Sequence, residues 1–181
     1  MAVSDIIKQT FSSSLINLLE TKSFDKLTIQ QLCNHSGLGR QTFYNHFKDK
    51  YDIVHWIYNT ETQKYLEEYK QDNDWPAAIR KVFYHNIDHK KYYLSIMKSE
   101  ARYEFSNYWE DHAKDYYAKA IIYRYGAHEI DDRLKQALQF NSYGAVNLSF
   151  TWIRNGMRES PESITKILME NLSPLIKDYL L

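Results

Sequence analysis

Apolar residues recur every three or four positions over most of the 181-residue chain, which is the spacing of amphipathic α-helices. The first such segment begins near Ser4, a residue suited to an N-cap, and places Phe11 and Leu15 on one face. A second segment begins at Thr28, where Thr28 and Gln31 have the spacing of a capping box. The N-terminal part of the chain is therefore predicted to start with two amphipathic helices.

A third, short helix is predicted from about Arg40 to Phe47, after an interruption at Gly37-Leu38-Gly39. Two helices joined by a glycine-containing turn form a helix-turn-helix pattern, and the first helix would be the brace on which both pack. The short helix combines aromatic Phe43 and Phe47 with a run of hydrogen-bonding side chains. A helix that only packed, or only faced water, would not need both, so the pattern indicates a binding surface.

The rest of the chain predicts further helices and no strand. These helices are expected at about residues 49–69, from Pro76, around 92–97, at 103–125, at 132–155 and from Ser160. Pro174 should kink or split the last of them. The fold class is therefore all-α, with about nine helices. Residues 1–48 form an N-terminal three-helix helix-turn-helix unit in this interpretation, and residues 49–181 form a larger C-terminal helical bundle.

The helix predicted at residues 132–155 is apolar on more than one side. One face is made by Leu134, Leu138, Ala145, Leu148 and Trp152, and much of another by Phe140, Tyr143, Gly144 and Phe150. A helix that is apolar on two sides is buried on two sides. Together with the helix that follows, it is predicted to pack inward on its own subunit and outward on a second copy. A central helix of a monomer would show the same composition.

Composition and charge limit the function classes that the chain can belong to. The single cysteine, Cys33, excludes an internal disulfide and a cysteine-based zinc cluster, and suits a reducing cytoplasm. No apolar run approaches the roughly 20 residues of a membrane span, and no signal-peptide core is present. The formal net charge is zero, but residues 1–50 carry +2 and the remainder −2. A basic excess in the first part is weak support for a nucleic-acid partner.

Residues 28–50, "TIQQLCNHSGLGRQTFYNHFKDK", resemble the DNA-binding segment of the TetR family of transcriptional regulators. The match lies in a Thr-initiated helix, a small-residue turn, the core Thr42-Phe43-Tyr44-Asn45-His46-Phe47 and the lysines behind it. A second stretch, "GAVNLSFTWIRNGMRESPESI" at residues 144–164, resembles the C-terminal domain of the branch that includes the regulator of dihydroxyacetone kinase genes. The resemblance implies double-stranded DNA with a palindromic operator as the partner.

In such a domain the N-terminal residues of the recognition helix face base edges in the major groove, and flanking groups hold phosphates. Arg40 is the best candidate for a bidentate contact with guanine, because its planar fork matches the O6 and N7 atoms. Gln41 and Thr42 are placed to reach neighbouring base edges or a thymine methyl group. Asn45 can contact either a base or the backbone.

Phosphate contacts are expected from residues on either side of these base contacts. The resemblance places Tyr44 and His46 on the phosphates, and Lys50, at the start of the fourth helix, in the same role. Thr28 would present a helix N-terminus to a phosphate. One such domain offers few phosphate contacts, so two copies on a two-fold axis are expected to read the operator.

The middle of the chain, residues 75–155, is crowded with tyrosine and tryptophan. In TetR relatives the corresponding helices enclose an effector pocket, although core packing is the more common role for any one aromatic residue. His85 and His89, four apart, would chelate a metal only with a third ligand, and none is evident, so no metal and no cofactor are predicted. The chain has no Gly-rich phosphate loop, nucleophile elbow or H-E-x-x-H motif, so it is not predicted to be an enzyme.

Three hypotheses follow for function. The first is a dimeric repressor that a small-molecule effector releases from DNA. The second is an activator, or a partner-dependent adaptor, whose C-terminal domain docks another protein instead of a ligand. The third is a helical interaction module whose helix-turn-helix no longer binds DNA, and the presence of Arg40, Thr42, Tyr44, His46 and Lys50 argues against it.

Overall fold

The chain forms ten α-helices and no strand in a computed structural model, which describes residues 2–126, 128 and 130–181. The helices are α1 Val3–Leu18, α2 Ile29–Ser36, α3 Arg40–His46, α4 Lys50–Asp72, α5 Trp75–Asp88, α6 Lys90–Met97, α7 Arg102–Tyr125, α8 Asp132–Arg154, α9 Pro161–Glu170 and α10 Pro174–Leu180. The predicted all-α class is confirmed. The described part has one helix more than the nine predicted, because the last predicted helix is split at Pro174 into α9 and α10.

A side chain accepts a capping hydrogen bond at the start of five of the ten described helices. Thr28 caps α2: its Oγ1 accepts a hydrogen bond from the Gln31 N–H, and the Gln31 side chain accepts one from the Thr28 N–H. Ser160 caps α9 by accepting a hydrogen bond from the Ser163 N–H, and Pro161 occupies the first helical position. The predicted capping box at Thr28 and the predicted helix start at Ser160 are therefore confirmed.

The predicted cap of the first helix is wrong. Helix α1 begins at Val3 with Ala2 as its N-cap, two positions earlier than a cap at Ser4 would require. The Ala2 N–H donates instead to the carboxylate of Asp5. Ser4 lies inside the helix, and its hydroxyl oxygen is 3.3 Å from Nδ1 of His46 at the end of α3. The serine thus connects α1 to α3.

Helix α1 is the brace of the N-terminal three-helix unit, which comprises α1, α2 and α3. The Phe11 ring of α1 meets the Phe43 ring of α3 edge to face, with centroids 5.2 Å apart, and the Phe47 ring at 6.3 Å. All three phenylalanines are almost completely buried. Since α3 spans seven residues and a helix this short is not stable alone, these aromatic contacts hold it in place.

Helices α4 to α10 build the larger bundle, and α4 runs along α1 as well as α5 and α7. The core of this larger bundle is unusually aromatic. Trp75 is fully buried and packs against Tyr69, Tyr116 and Tyr117 with ring centroids 5.0–5.4 Å apart. Within the described ranges, no helix combines the length and apolar character needed to cross a membrane.

Helix α8 carries apolar side chains on two sides, as predicted, but the prediction placed Phe150 on the wrong side. Phe150 is buried and packs its ring on Trp109 at 5.0 Å, so it belongs to the inner face. Phe140 and Tyr143 do face outward, with 81% and 48% of their surface exposed. On the following helix, Ile167 is 39% exposed. The structure therefore leaves exposed apolar side chains on the outside of α8 and also on α9.

Candidate nucleic-acid interface

The turn between α2 and α3 is set by Gly37, whose φ of 72° lies in the left-handed region where residues with a Cβ are disfavoured. The Ser36 hydroxyl stabilises the same turn, because it donates to the Cys33 carbonyl and accepts from the Leu38 N–H. Gly39 then serves as the N-cap of α3 in an extended conformation. The turn fixes the angle at which α3 leaves α2.

Helix α3 has one buried and one exposed face. Phe43 is completely buried, whereas the side chains of Arg40, Gln41, Tyr44 and Asn45 are exposed. Positions 40 and 44, like 41 and 45, are one helical turn apart, so these four side chains form a single polar surface. Four of the eight predicted DNA contacts are therefore brought together on the exposed side of α3.

Thr42 and His46 border this polar surface and are partly buried. His46 is close to the Ser4 hydroxyl of α1, which holds the imidazole at the edge of α3. Thr28 lies at the start of α2 rather than on α3, and its exposed side chain is occupied by the capping hydrogen bond. These three residues flank the polar surface.

Lys50 is placed differently from the other predicted contacts. Its Nζ donates hydrogen bonds to the backbone carbonyl oxygens of Phe24 at 2.8 Å, Asp25 at 3.2 Å and Leu27 at 3.0 Å. It also lies 4.7 Å from the centre of the Phe24 ring. Burial lowers the pKa of Lys50, and the nearby Asp25 carboxylate opposes this effect. The three bonds use all three N–H groups of the ammonium, so this side chain fastens the segment before α2 to the start of α4.

Replacing Lys50 with methionine is expected to lower the free energy of unfolding by about 2 kcal/mol. The apolar side chain fills similar space but leaves three carbonyl oxygens without their donor, and two of these bonds are partly buried. Urea unfolding of the two proteins measures the difference. Lys48→Met is the matched control, because Lys48 is exposed two positions earlier and should leave stability unchanged. Equal midpoints for Lys50→Met and wild type would contradict the structural role.

Lys48 was not among the predicted contacts although it follows directly after the buried Phe47. Its side chain is exposed at the end of α3, and its backbone N–H donates to the Asp52 carboxylate. An exposed ammonium beside the polar surface of α3 is well placed for a phosphate. The lysine-rich sequence after Phe47 carried the signal that could have identified it.

The larger bundle contains an apolar cavity of about 70 Å³, which is lined mainly by α4, α5, α7 and α8, with Tyr93 from α6 and Leu168 from α9. Trp109, Tyr116 and Tyr117, from the aromatic-rich middle of the sequence, also line it. Trp109 and Tyr116 are 3% and 6% exposed, and the indole N–H and the phenol oxygen have no hydrogen-bond partner within the protein. No Asp, Glu, Lys or Arg is found among its described lining residues. The cavity therefore suits a small uncharged molecule.

His85 and His89, the pair with metal-ligand spacing, have ring centroids 4.6 Å apart. In the part of the chain that the structure describes, no group of three or more His, Cys, Asp or Glu side chains is arranged to hold a metal ion. Burial is the main cause that lowers the pKa of His85, to about 4, and the neighbouring His89 and Lys64 lower it further. His85 is thus a buried neutral imidazole at pH 7.

Two family models match the chain. Residues 14–57 match "Bacterial regulatory proteins, tetR family", and residues 73–174, more than half of the chain, match "Transcriptional regulator C-terminal region". The first match contains the whole of α2 and α3 with their turn. The second runs from the start of α5 to the start of α10 and so contains much of the cavity lining.

One characterised relative and one solved structure also resemble the chain, both at low sequence identity. The chain is 19% identical over 113 residues to the HTH-type dhaKLM operon transcriptional activator DhaS of Lactococcus lactis subsp. lactis (strain IL1403). That alignment spans 61% of this chain and 60% of the relative, which is less than two thirds of the relative's length. A solved structure of the dihydroxyacetone kinase operon activator DhaS aligns with a TM-score of 0.71 and 14% identity, over 97% of this chain and 99% of that one. The likeness to that structure concerns the fold.

Proposed function

Because the chain belongs to the TetR family of bacterial transcriptional regulators, we propose that it binds an operator as a homodimer and that an effector controls this binding. A protein of this family regulates transcription and is not an enzyme. We assign DNA binding to residues 1–48, and effector binding and dimerisation to residues 49–181. We place the protein in the cytoplasm, where its DNA target lies.

One observation carries the DNA-binding proposal: the exposed surface of Arg40, Gln41, Tyr44 and Asn45 on a helix whose opposite face is fixed by Phe43. A major groove about 12 Å wide accepts one α-helix, and long polar side chains on its exposed side reach base edges. The rigid aromatic support beneath α3 keeps these side chains in a fixed arrangement. Sequence-specific reading requires such an arrangement, because each contact must meet a defined base.

Each residue has a proposed role in the complex. Arg40 contacts guanine, and Gln41 and Thr42 contact neighbouring base edges. Asn45 contacts a base or the backbone, and the remaining contacts go to phosphates from Tyr44, His46, Lys48 and the α2 N-terminus at Thr28. Lys50 positions the segment before α2 through its three carbonyl bonds and is left out of the contact set.

We propose that dimerisation uses the exposed apolar side chains of α8 and α9. Phe140 is 81% exposed, which is unusual for so large an apolar side chain, and Tyr143 on α8 and Ile167 on α9 are exposed as well. A second copy related by a two-fold axis would bury the same side chains on both subunits. The two recognition helices would then face one operator with two half-sites.

We further propose that the apolar cavity is the effector site. It is enclosed by α4, α5, α7 and α8, and α4 also packs against α1 of the N-terminal three-helix unit. A ligand that fits one arrangement of these helices better than another shifts the population between DNA-binding and released states. In a repressor, the effector would favour the released state.

The second candidate is an activator, or an adaptor that docks another protein through its C-terminal domain. The name of the Lactococcus relative, which describes a transcriptional activator, favours this candidate. The DNA-binding surface is the same in both cases. The two candidates differ in what occupies residues 49–181, and in whether transcription rises or falls when the operator is bound.

Selection of bound duplexes from a random pool tests the DNA-binding proposal. The wild type is expected to enrich a two-fold symmetric site, and Arg40→Ala to lose preference at one base position in each half-site. A bidentate arginine–guanine contact is worth about 1–3 kcal/mol, so affinity for the wild-type site should fall roughly ten- to a hundredfold per half-site. Arg133→Ala, which changes an exposed arginine on α8, is the matched control and should select the wild-type site.

The outcome also separates the candidates from a protein that has lost DNA binding. If no sequence is enriched, the N-terminal three-helix unit does not read DNA, and the third hypothesis replaces the proposal. If Arg40→Ala enriches the same site as the wild type at every position, the assignment of Arg40 is wrong. An asymmetric site would contradict the two-fold dimer.

A further inference from the structure

The connection between α1 and α2, residues 19–28, lies against the larger bundle. Phe24, near its centre, is completely buried. The Phe24 ring meets the Phe105 ring of α7 edge to face, with centroids 5.7 Å apart, and the Tyr51 ring of α4 at 5.3 Å. Phe105 is also completely buried. The three-helix unit therefore contacts α7 through a side chain that lies outside α1, α2 and α3.

The backbone of Phe24 is hydrogen-bonded on both sides. Its N–H donates to the hydroxyl oxygen of Ser95 on α6 at 2.8 Å, and its carbonyl oxygen accepts from Lys50 Nζ at 2.8 Å. Buried backbone groups outside helices and strands need such partners from elsewhere in the fold. Both partners of Phe24 belong to the larger bundle, at the start of α4 and on α6. We call the contacts of Phe24 with Ser95 and Phe105 the anchor.

Two exposed contacts lie beside the anchor. The Glu100 N–H donates to the Asp25 carboxylate at 3.3 Å, and Lys91 Nζ is 3.0 Å from the Glu20 carboxylate. Exposed polar contacts contribute little stability on their own. They show, however, that the connection between α1 and α2 faces α6 and the start of α7 over several residues.

The anchor restricts how the three-helix unit is oriented on the larger bundle. The unit continues into α4 after three residues, 47–49, and α1 packs on the same helix. Contacts with one helix leave rotation about that helix as the easiest motion, and the anchor restricts this rotation by adding contacts with α6 and α7. The support of α3 consists of other residues, Phe11, Phe43 and Phe47. Loss of the anchor should therefore change the orientation of the unit and leave the polar surface of α3 intact.

We propose that Ser95 and Phe105 are positioning residues for operator recognition, because they hold Phe24 and thereby fix the three-helix unit on the larger bundle. In a two-fold dimer, the orientation of each unit sets the distance and angle between the two recognition helices. The anchor then determines which spacing of half-sites the dimer accepts. This role in spacing rests on the proposed function, whereas the fixation of the unit can be measured without DNA.

Residual dipolar couplings of backbone N–H groups measure this fixation in the full chain without DNA. In the wild type, the couplings of α1 to α3 and those of α7 and α8 are expected to fit one alignment tensor. Ser95→Ala removes the acceptor of the Phe24 N–H, and Phe105→Leu removes the edge-to-face ring contact. In each variant the two sets of couplings should require tensors of different magnitude, because the two parts then move relative to each other.

Two matched control variants change the same residue types away from the anchor. Ser106→Ala removes a hydroxyl that bonds Glu110 on its own helix, α7. Phe83→Leu removes a buried ring of α5 that packs edge to face on Trp152. Both variants should keep a single alignment tensor.

Operator duplexes with altered spacing measure the consequence for recognition. One base pair inserted between the half-sites of the selected duplex moves them apart by about 3.4 Å and rotates them by about 35°. The wild type should bind this duplex at least roughly tenfold more weakly, because a rigid dimer then meets only one half-site in register. Ser95→Ala and Phe105→Leu should lose less than roughly threefold, because mobile units adapt to the added base pair. The base preference within each half-site should match the wild type in both variants.

Three results would overturn the proposal. The first is a wild-type chain whose couplings need two alignment tensors. The second is that Ser95→Ala and Phe105→Leu both keep a single tensor, or both keep the wild-type loss of affinity on insertion of a base pair. The third is an altered base preference within the half-sites, which would show that the variants disturb α3 itself. If the wild type enriches no symmetric duplex, the proposed operator binding is wrong and the role in spacing with it, while the couplings still show whether the anchor fixes the unit.

Discussion

Replacing Phe43 with alanine is expected to lower the free energy of unfolding by about 3–5 kcal/mol and to abolish operator binding. Phe43 is completely buried, and its ring contacts Phe11 at 5.2 Å and Phe47 at 6.0 Å between centroids. Alanine would leave a cavity at the point where α3 rests on α1. A seven-residue helix has no stability of its own, so the polar surface would lose its fixed arrangement.

The neighbouring residue supplies the matched control. Tyr44→Phe removes one hydroxyl from a side chain that is 50% exposed and keeps the edge-to-face contact with Phe43. Stability should be unchanged, whereas operator affinity should fall roughly fivefold per half-site, and so roughly thirtyfold for a dimer, from a lost phosphate contact worth about 1 kcal/mol per subunit. Urea unfolding and fluorescence anisotropy with the selected duplex measure the two effects. If Phe43→Ala still binds the operator with wild-type affinity, the support of α3 by this aromatic cluster is not required.

Sequence predicted the helices well because their signals are local. The capping box of Thr28 and Gln31, and the Ser160-Pro161 start of α9, depend on residues within three positions of each other. The Ser4 cap was wrong for an equally local reason: Asp5 provides an acceptor for the Ala2 N–H, and the N-cap lies two residues earlier, at Ala2. Local hydrogen bonding decides such boundaries, and competing caps one or two residues apart are hard to rank from sequence.

The polar surface of α3 was also predictable, because the helical spacing and the TetR-like motif at residues 28–50 place its residues on one helix. The position of Lys50 was not, since its three carbonyl partners lie 23–26 residues earlier in the chain. A cavity of about 170 Å³ between α1, α4 and α5 was even less accessible to sequence reasoning. Ser12, Glu61 and His85 come from three helices, and only tertiary packing shows that they share one cavity.

Buried histidines are a third feature that sequence did not reveal. His112 of α7 lies against the Tyr58 ring at 4.9 Å, and its Nε2 is 3.4 Å from Thr62 Oγ1. Burial is the main cause that lowers its pKa to about 4, and the charge of Lys119 lowers it further against the opposing effect of Asp115. His85 has a pKa lowered to about 4 by its own burial. Both side chains are therefore neutral in the folded protein at pH 7.

These two histidines should make the protein lose stability as the pH falls from about 6.5 to 4. Their ordinary pKa is 6.5, so in this interval the unfolded chain binds protons that the folded protein excludes. Stability attributable to each group is fully present above pH 6.5 and declines as the pH approaches 4. The lowered pKa values correspond to about 3 kcal/mol for each histidine. Carboxylates that are protonated in the same range add to the wild-type slope, so only a comparison of variants isolates the histidines.

Urea unfolding at several pH values between 7.5 and 4.5 provides that comparison. His85→Gln and His112→Gln replace an imidazole with a side chain that does not titrate, and each should flatten the decline by about 2 kcal/mol over this range. His35→Gln is the matched control, because His35 is exposed on α2 and its replacement should leave the wild-type slope unchanged. If all three variants lose stability as steeply as the wild type, neither buried histidine excludes protons and the acid sensitivity comes from the carboxylates. A flatter slope in only one variant would identify the histidine that remains neutral in the folded protein.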